Sequence, residues 1–159
     1  MFYQINDYVL TIQASDKGIT RIDIDLSNKS VLNNSMTVTN LHIKQCLNEL
    51  DEYFLGQRQV FTVALDINSG TEFQQDVWQE LTNVPYGSTM FYQEIAEQIN
   101  RPKACQAIGQ ANKKNPIPIL IPCHRIIGKN GKLTGYQGKS SAGLNFKQFL
   151  LTLEQKNRG

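Results

Sequence analysis

Between Asn115 and Cys123 the chain reads Asn-Pro-Ile-Pro-Ile-Leu-Ile-Pro-Cys. Ile117, Ile119, Leu120 and Ile121 are apolar enough for a core strand. Pro116, Pro118 and Pro122, however, fix their own backbone angles and remove three backbone donors. That density of proline rules out a helix and argues against a central strand. The segment is therefore expected to be a rigid, irregular path. It delivers a cysteine, Cys123, followed at once by His124 and Arg125.

The sequence before this segment divides into two styles. Tyr8–Gln13 and Gly18–Leu26 alternate apolar and polar residues, and Ile19, Ile22, Ile24 and Leu26 suggest a half-buried strand. Asp16-Lys17-Gly18 between them suits a hairpin turn. Residues 28–40 are polar and turn-rich. A helix is expected from about Asn40 to Leu55, because Cys46, Leu47, Leu50, Tyr53 and Phe54 recur on one face, and Gly56 suits its C-terminal cap. Arg58–Leu65 reads as a further strand. Asp66-Ile-Asn-Ser-Gly70 is polar and holds a glycine, which places a boundary between domains 1–68 and 69–159.

The second part reads as mainly helical. Thr71-Glu-Phe-Gln74 has the capping-box pattern, and Phe73, Val77 and Leu81 give the buried face beside Trp78. A short helix is expected over Tyr92–Ile99. Another is expected to open at Pro102, after the turn Asn100-Arg-Pro, and to run to about Lys113. The last helix spans roughly Leu144–Gln155. The two short helices form a helix-turn-helix candidate, a weak signal taken alone. The fold class is thus α+β, with a small α/β N-terminal domain before a mainly helical C-terminal one.

Charge and cysteine usage narrow the function. Net charge is only +2, yet Arg101–Lys139 holds eight Lys or Arg residues and no Asp or Glu. Such a one-sign field suits a polyanion, or else a solvated basic surface. The three cysteines, Cys46, Cys105 and Cys123, are widely spaced, which argues against a disulfide framework and fits a reducing compartment. Cys46 lies on the apolar face of its predicted helix. The cysteines and the histidines His42 and His124 are too scattered for a structural zinc site. The chain has no apolar run of membrane-spanning length and no basic-then-apolar start, so the expectation is a soluble cytoplasmic protein without a signal peptide.

A free thiol is mostly protonated at neutral pH, so a nucleophilic cysteine needs a base or a positive field beside it. His124 and Arg125 are adjacent to Cys123, and Glu154 on the last helix is the candidate for orienting the histidine. The alternative is a buried strand with an inert thiol.

These residues resemble a known family. Gly70-Thr-Glu-Phe-Gln-Gln, Val84-Pro-Tyr-Gly, Tyr92-Gln-Glu-Ile-Ala, Asn115-Pro-Ile-Pro-Ile-Leu-Ile-Pro-Cys-His-Arg125 and Gly135-Tyr-Gln-Gly138 are similar to the methylated-DNA–protein-cysteine methyltransferases. These are also called 6-O-alkylguanine-DNA alkyltransferases. The resemblance implies a ribonuclease-H-like N-terminal domain and a DNA-binding, alkyl-accepting C-terminal domain. It implies single-turnover transfer of an alkyl group from the 6-oxygen of guanine to Cys123, with the 4-oxygen of alkylated thymine as a second candidate. A flipped base is needed because that atom is inaccessible within the stack.

By position, Cys123 is the implied acceptor, His124 its base through a water, and Glu154 the orienting group. Tyr92 is the implied proton donor to the guanine ring, and Asn115 the hinge between recognition helix and cysteine turn. Tyr136, Gln137, Gly138 and Ser140 are implied at the alkylguanine pocket. Arg101, Lys103, Ala104, Gln106, Lys113, Lys114 and Arg125 are implied at the DNA. The implied partner is double-stranded DNA containing alkylated guanine. The protein is expected to be a monomer, with no membrane, metal or cofactor.

The chain departs from the family at Gln106, where an arginine usually enters the vacated base stack. Glutamine lacks the charge and the stacking guanidinium plane. No Ser or Thr precedes Tyr92 to cap its helix. Two other readings use the same residues: a binding-only sensor of alkylguanine, and a thiol hydrolase using Cys123, His124 and Glu154, for which no oxyanion motif is evident.

Overall fold

The computed structural model describes residues 1–26, 38–131, 133 and 141–158. It divides into two compact units, Met1–Asn68 and Ser69–Gly159.

The first unit is a three-stranded antiparallel sheet in the order β1 (Phe2–Ile5), β2 (Tyr8–Ala14) and β3 (Ile19–Asp25), with α1 (Leu41–Phe54) packed on β2 and β3. The β2–β3 turn closes with the Ser15 N–H donating to the Gly18 carbonyl at 2.9 Å. Beyond the turn, Ala14 faces Ile19 but Gln13 faces Arg21, so Thr20 is an extra residue. This bulge changes the phase of the strand and lets Ile19 and Ile22, which lie out of phase in a regular strand, both reach the core. Opposite them, α1 buries Cys46, Leu50 and Tyr53. Asn40 caps α1, accepting from the His42 and Ile43 N–H groups. At the other end the Gly56 and Gln57 N–H groups return to the Tyr53 and Glu52 carbonyls, with Gly56 at φ +76°.

Arg58–Leu65, predicted as a strand, is an irregular extended segment. Among the described residues it pairs with the sheet through the isolated bridge between Ile19 and Leu65. A side chain has taken the place of a neighbouring strand. The buried Glu49 carboxylate accepts from the Thr62 N–H (2.8 Å), the Val63 N–H (3.2 Å) and the Thr62 hydroxyl (2.7 Å). Burial alone would raise the Glu49 pKa, but hydrogen bonds from Gln45, Thr62 and Val63 outweigh it and hold it low. Gly18 is required where this segment crosses the hairpin, since a Cβ there would sit 2.6 Å from the Ala64 carbonyl oxygen.

The second unit is built on α2 (Glu72–Leu81), α3 (Tyr92–Gln98), α4 (Cys105–Lys113) and α5 (Ser141–Asn157). Two short strands, β4 (Met90–Phe91) and β5 (Ile126–Ile127), pair in parallel. Its core includes Trp78, Ile95, Ile108, Ile117, Ile121 and Phe146. The predicted capping box is present: Thr71 Oγ1 accepts from the Gln74 N–H, and Gln74 Oε1 accepts from the Thr71 N–H.

The turn between α3 and α4 is longer than predicted, and α4 opens at Cys105 rather than at Pro102. The α3 end explains this. Asn100 takes a left-handed φ of +61°, and the Asn100 and Arg101 N–H groups close back onto the Glu97 and Ala96 carbonyls. Residues 101–104 are then needed to turn the chain before a helix restarts. At the other end of α3, the Glu94 carboxylate accepts from the Phe91 N–H at 3.0 Å, which supplies from inside the helix part of the capping that Phe91 cannot. Among the described residues no helix is long and apolar enough to cross a membrane.

Candidate active site

The proline segment takes the irregular path its sequence demands. The Ile121 N–H donates to the Ile117 carbonyl at 2.9 Å, and between them Ile119 is held at φ +76°. That is a costly conformation for a β-branched residue. The Asn115 side chain fixes it from within: Nδ2 donates to the Ile121 carbonyl (2.8 Å) while Oδ1 accepts from the Ile117 N–H (3.0 Å). The chain then enters a 3₁₀ turn, Cys123–Arg125, and continues into β5. Cys123 is 1% exposed. Its carbonyl accepts from Asn112 Nδ2 of α4 at 3.2 Å, which ties the recognition-helix candidate to the cysteine turn.

His124 and Glu154, thirty positions apart, meet at 2.6 Å between Nε2 and Oε2, both buried. Glu154 Oε1 also accepts from Arg125 Nε (2.8 Å) and Oε2 from Arg125 Nη2 (3.0 Å), while Arg125 Nη1 donates to the Val84 carbonyl (2.7 Å). Burial alone would push the Glu154 pKa up, but hydrogen bonding and charge from His124 and Arg125 hold it well below the usual carboxylate range. Burial pushes His124 down, with Arg125 and Lys147 acting in the same sense, against the attraction of Glu154. The consistent state is a neutral imidazole donating through Nε2 to an ionised Glu154. That leaves Nδ1 as a basic lone pair, and it is buried without a hydrogen bond among the described residues.

Arg125 therefore does not lie where the sequence reading put it. It was expected at the DNA, but it is 6% exposed and its guanidinium is taken up by Glu154, Val84 and the face of Tyr86, 5.7 Å from the ring centre. A guanidinium held on several sides inside the protein and buried there is not presented to a phosphate.

Lys147 was missed from the sequence. It is fully buried on α5, donates to the Ile126 carbonyl, and interacts electrostatically with Cys123. Burial lowers its pKa to about 8, with Cys123 acting in the opposite direction. The signal was available: Lys147 stands two turns before Glu154, between Phe146 and Leu150 on an apolar stripe. Asn112 carried no such signal.

The helix pair presents a second surface. Tyr92, half-buried at the start of α3, lines a cavity of about 430 Å³ together with Gln106, Gly109, Gln110 and Lys113 of α4. Arg101, Lys103, Gln106 and Lys114 are exposed, and Ala104 is partly so. Trp78 Nε1 donates to the Ala111 carbonyl at 2.8 Å, which anchors α4 to α2. Tyr136, Gln137, Gly138 and Ser140 lie outside the described residues. Among the described residues no three His, Cys, Asp or Glu side chains are grouped to hold a metal ion.

Comparison with known proteins bears on the family. Residues 72–156 match the 6-O-methylguanine DNA methyltransferase DNA-binding domain, and residues 2–67 match the ribonuclease-like domain of the same proteins. A methylated-DNA–protein-cysteine methyltransferase of Methanosarcina mazei is 41% identical, over 99% of both chains. The constitutive enzyme of that name from Bacillus subtilis is 43% identical, over 92% of this chain and 88% of its own. The crystal structure of Mycobacterium tuberculosis OGT in complex with DNA superimposes with a TM-score of 0.82 at 38% identity, covering 98% of this chain and 92% of that one. With both of its units matched in order, this chain belongs to the 6-O-methylguanine DNA methyltransferase family.

Proposed function

We propose that this protein repairs DNA directly, by moving the alkyl group from the 6-oxygen of an alkylated guanine onto Sγ of its own Cys123. One bond forms, sulfur to alkyl carbon, and one breaks, alkyl carbon to oxygen. The cysteine ends as a thioether, so each molecule acts once. A soft thiolate suits displacement at an alkyl carbon.

The observation that carries this reading is the buried His124–Glu154 contact of 2.6 Å beside Cys123. It fixes the tautomer that leaves Nδ1 as the base. In the proposed sequence His124 Nδ1 takes the thiol proton through a bridging water, and the Lys147 charge favours the thiolate. Tyr92, which lines the cavity from the start of α3, donates its phenol proton as negative charge develops on the departing guanine. Asn115 and Asn112 hold the cysteine turn in register with α4. The domain 69–159 carries both DNA binding and chemistry, and the domain 1–68 is structural.

DNA is gripped chiefly through phosphates, with little dependence on sequence. Arg101, Lys103, Lys113 and Lys114 supply charge, and Ala104 and Gln106, at the start of α4, meet the DNA beside them. The duplex containing alkylated guanine is the partner of a single protein molecule, in the cytoplasm.

The test is an intact mass after incubation with an oligonucleotide containing 6-O-methylguanine. One methyl group gained, located on the Cys123 peptide, is the expected result. Cys123→Ser should bind the lesion and gain nothing. Tight binding by the unaltered protein without mass gain would overturn the reading and leave a sensor.

A further inference from the structure

Lys129 is absent from every role assigned so far, yet it lines the same cavity as Tyr92 and Lys113. Topology puts it there. Met90 and Phe91 of β4 pair in parallel with Ile126 and Ile127 of β5, so the residues following each strand emerge side by side. After β4 that residue is Tyr92. After β5 the chain passes Gly128 and starts a second 3₁₀ turn, Lys129–Gly131. Lys113 reaches the cavity from another element, the last turn of α4.

The cavity lining holds these two lysines and no acidic residue. Neither lysine forms an ion pair among the described residues. The rest of the wall is uncharged, with the Tyr92 ring and the amides of Gln106 and Gln110. At Gly109 an added Cβ would find only the Tyr92 ring, 3.9 Å away, so the helix backbone is open to close approach. Two unpaired cations facing a neutral, aromatic-walled cavity match a ligand with one anionic group and one ring. That is the chemistry of a single nucleotide within a strand.

We propose that Lys129 and Lys113 clamp a phosphate of the extruded nucleotide. The cysteine-bearing segment then grips the damaged strand together with the helix pair. This rests on the reading of Cys123 as an acceptor of alkyl groups from DNA. The clamp couples insertion of the base to the position of the Cys123 turn, because Lys129 follows that turn by only a few residues.

The experiment combines variants with altered DNA. Lys129→Gln, Lys113→Gln and, as a control, the exposed Lys156→Gln on α5 are titrated with a 6-O-methylguanine duplex at several salt concentrations. Each clamp variant should flatten the plot of log affinity against log salt, and the double variant should flatten it by about 0.9, the share of the one phosphate both lysines hold. That equals about 3.5-fold less affinity lost between about 50 and about 200 mM salt. The Lys156→Gln slope should match the unaltered protein. The titration is then repeated with a neutral methylphosphonate in place of one phosphate, on either side of the lesion in turn. At one of the two linkages the substitution should weaken Lys129→Gln less than it weakens the unaltered protein, the remaining penalty being the contact that Lys113 keeps.

Penalties that multiply at both linkages, or an unchanged salt slope in Lys129→Gln, would overturn the clamp. Thermal melts matching the unaltered protein identify a folded variant, and Lys113→Gln provides an independent arm should Lys129→Gln fold poorly. If the unaltered protein gains no methyl group in the same reactions, the reading of Cys123 fails instead. Methyl transfer with multiplicative penalties removes only the clamp.

Discussion

Replacing Lys147 by methionine should stabilise the protein at neutral pH while slowing its chemistry. The Lys147 ammonium is fully buried, and its pKa falls from 10.5 to about 8 chiefly because burial disfavours the charge. That gap corresponds to about 3 kcal/mol. The sign follows from proton counting. Below about pH 8 the lysine is charged in both folded and unfolded chains, and the folded state bears the whole cost. From about pH 8 to about 10.5 the unfolded chain holds a proton that the folded one has released, so stability rises with pH. Above that range the cost is gone.

Methionine fills a similar volume without the charge, but it leaves the Ile126 carbonyl without its donor, at about 1–3 kcal/mol. The net expectation near pH 7 is a gain of about 0–2 kcal/mol, with the difference between the two proteins reversing above pH 8. Urea unfolding at about pH 7, 8, 9 and 10 measures this directly. Single-turnover methyl transfer should fall at least about tenfold, the equivalent of about 1.4 kcal/mol in the barrier, because the positive charge near Cys123 is lost. A variant that is clearly less stable at pH 7, or that keeps the rise in stability between pH 8 and 10.5, would refute the reasoning.

Three further outcomes are expected. Glu154→Gln should cost about 3–5 kcal/mol at neutral pH by leaving Arg125 buried without its carboxylate, and should slow transfer by up to about 10⁴-fold through loss of the histidine tautomer. Because the folded Glu154 pKa is depressed, its contribution is present above the unfolded value and is lost as pH falls through the folded one, so the variant should show a shallower acid limb in urea titrations. Gln106→Arg should tighten DNA binding and steepen its log salt dependence by about 0.9, and an unchanged titration would remove position 106 from the DNA surface. Gly18→Ala should lower stability by about 1–3 kcal/mol in a thermal melt, since its Cβ meets the backbone of Ala64 and Leu65 rather than a movable side chain.

Local chemistry made much of the molecule readable in advance. The helix start near Asn40, the Thr71 capping box, Gly56 at the end of α1, and the proline path into Cys123 all stand in the structure, because each depends on residues only a few positions apart. The misread positions have long-range causes. Arg58–Leu65 looks like a strand by composition, but Glu49 of α1 claims its donors. Arg125 looks like a phosphate contact, but Glu154 and Val84 claim its guanidinium. In both cases a buried carboxylate outcompeted the partner that composition suggested, and its position is not encoded in neighbouring residues.

The sequence by itself determined that Cys123 sits on a rigid, irregular segment beside a histidine, since proline fixes backbone angles wherever the chain goes. It also set the stretch from Arg101 to Lys139 that holds basic residues and no acidic ones. Only the tertiary structure decided which charges remain exposed and which are spent inside. It put Glu154 and Lys147 from one helix around the Cys123 turn, and brought Lys113 and Lys129 to one cavity beside Tyr92. The physical reason is that burial and pairing reset the energy of each charge, and both are properties of the packed chain.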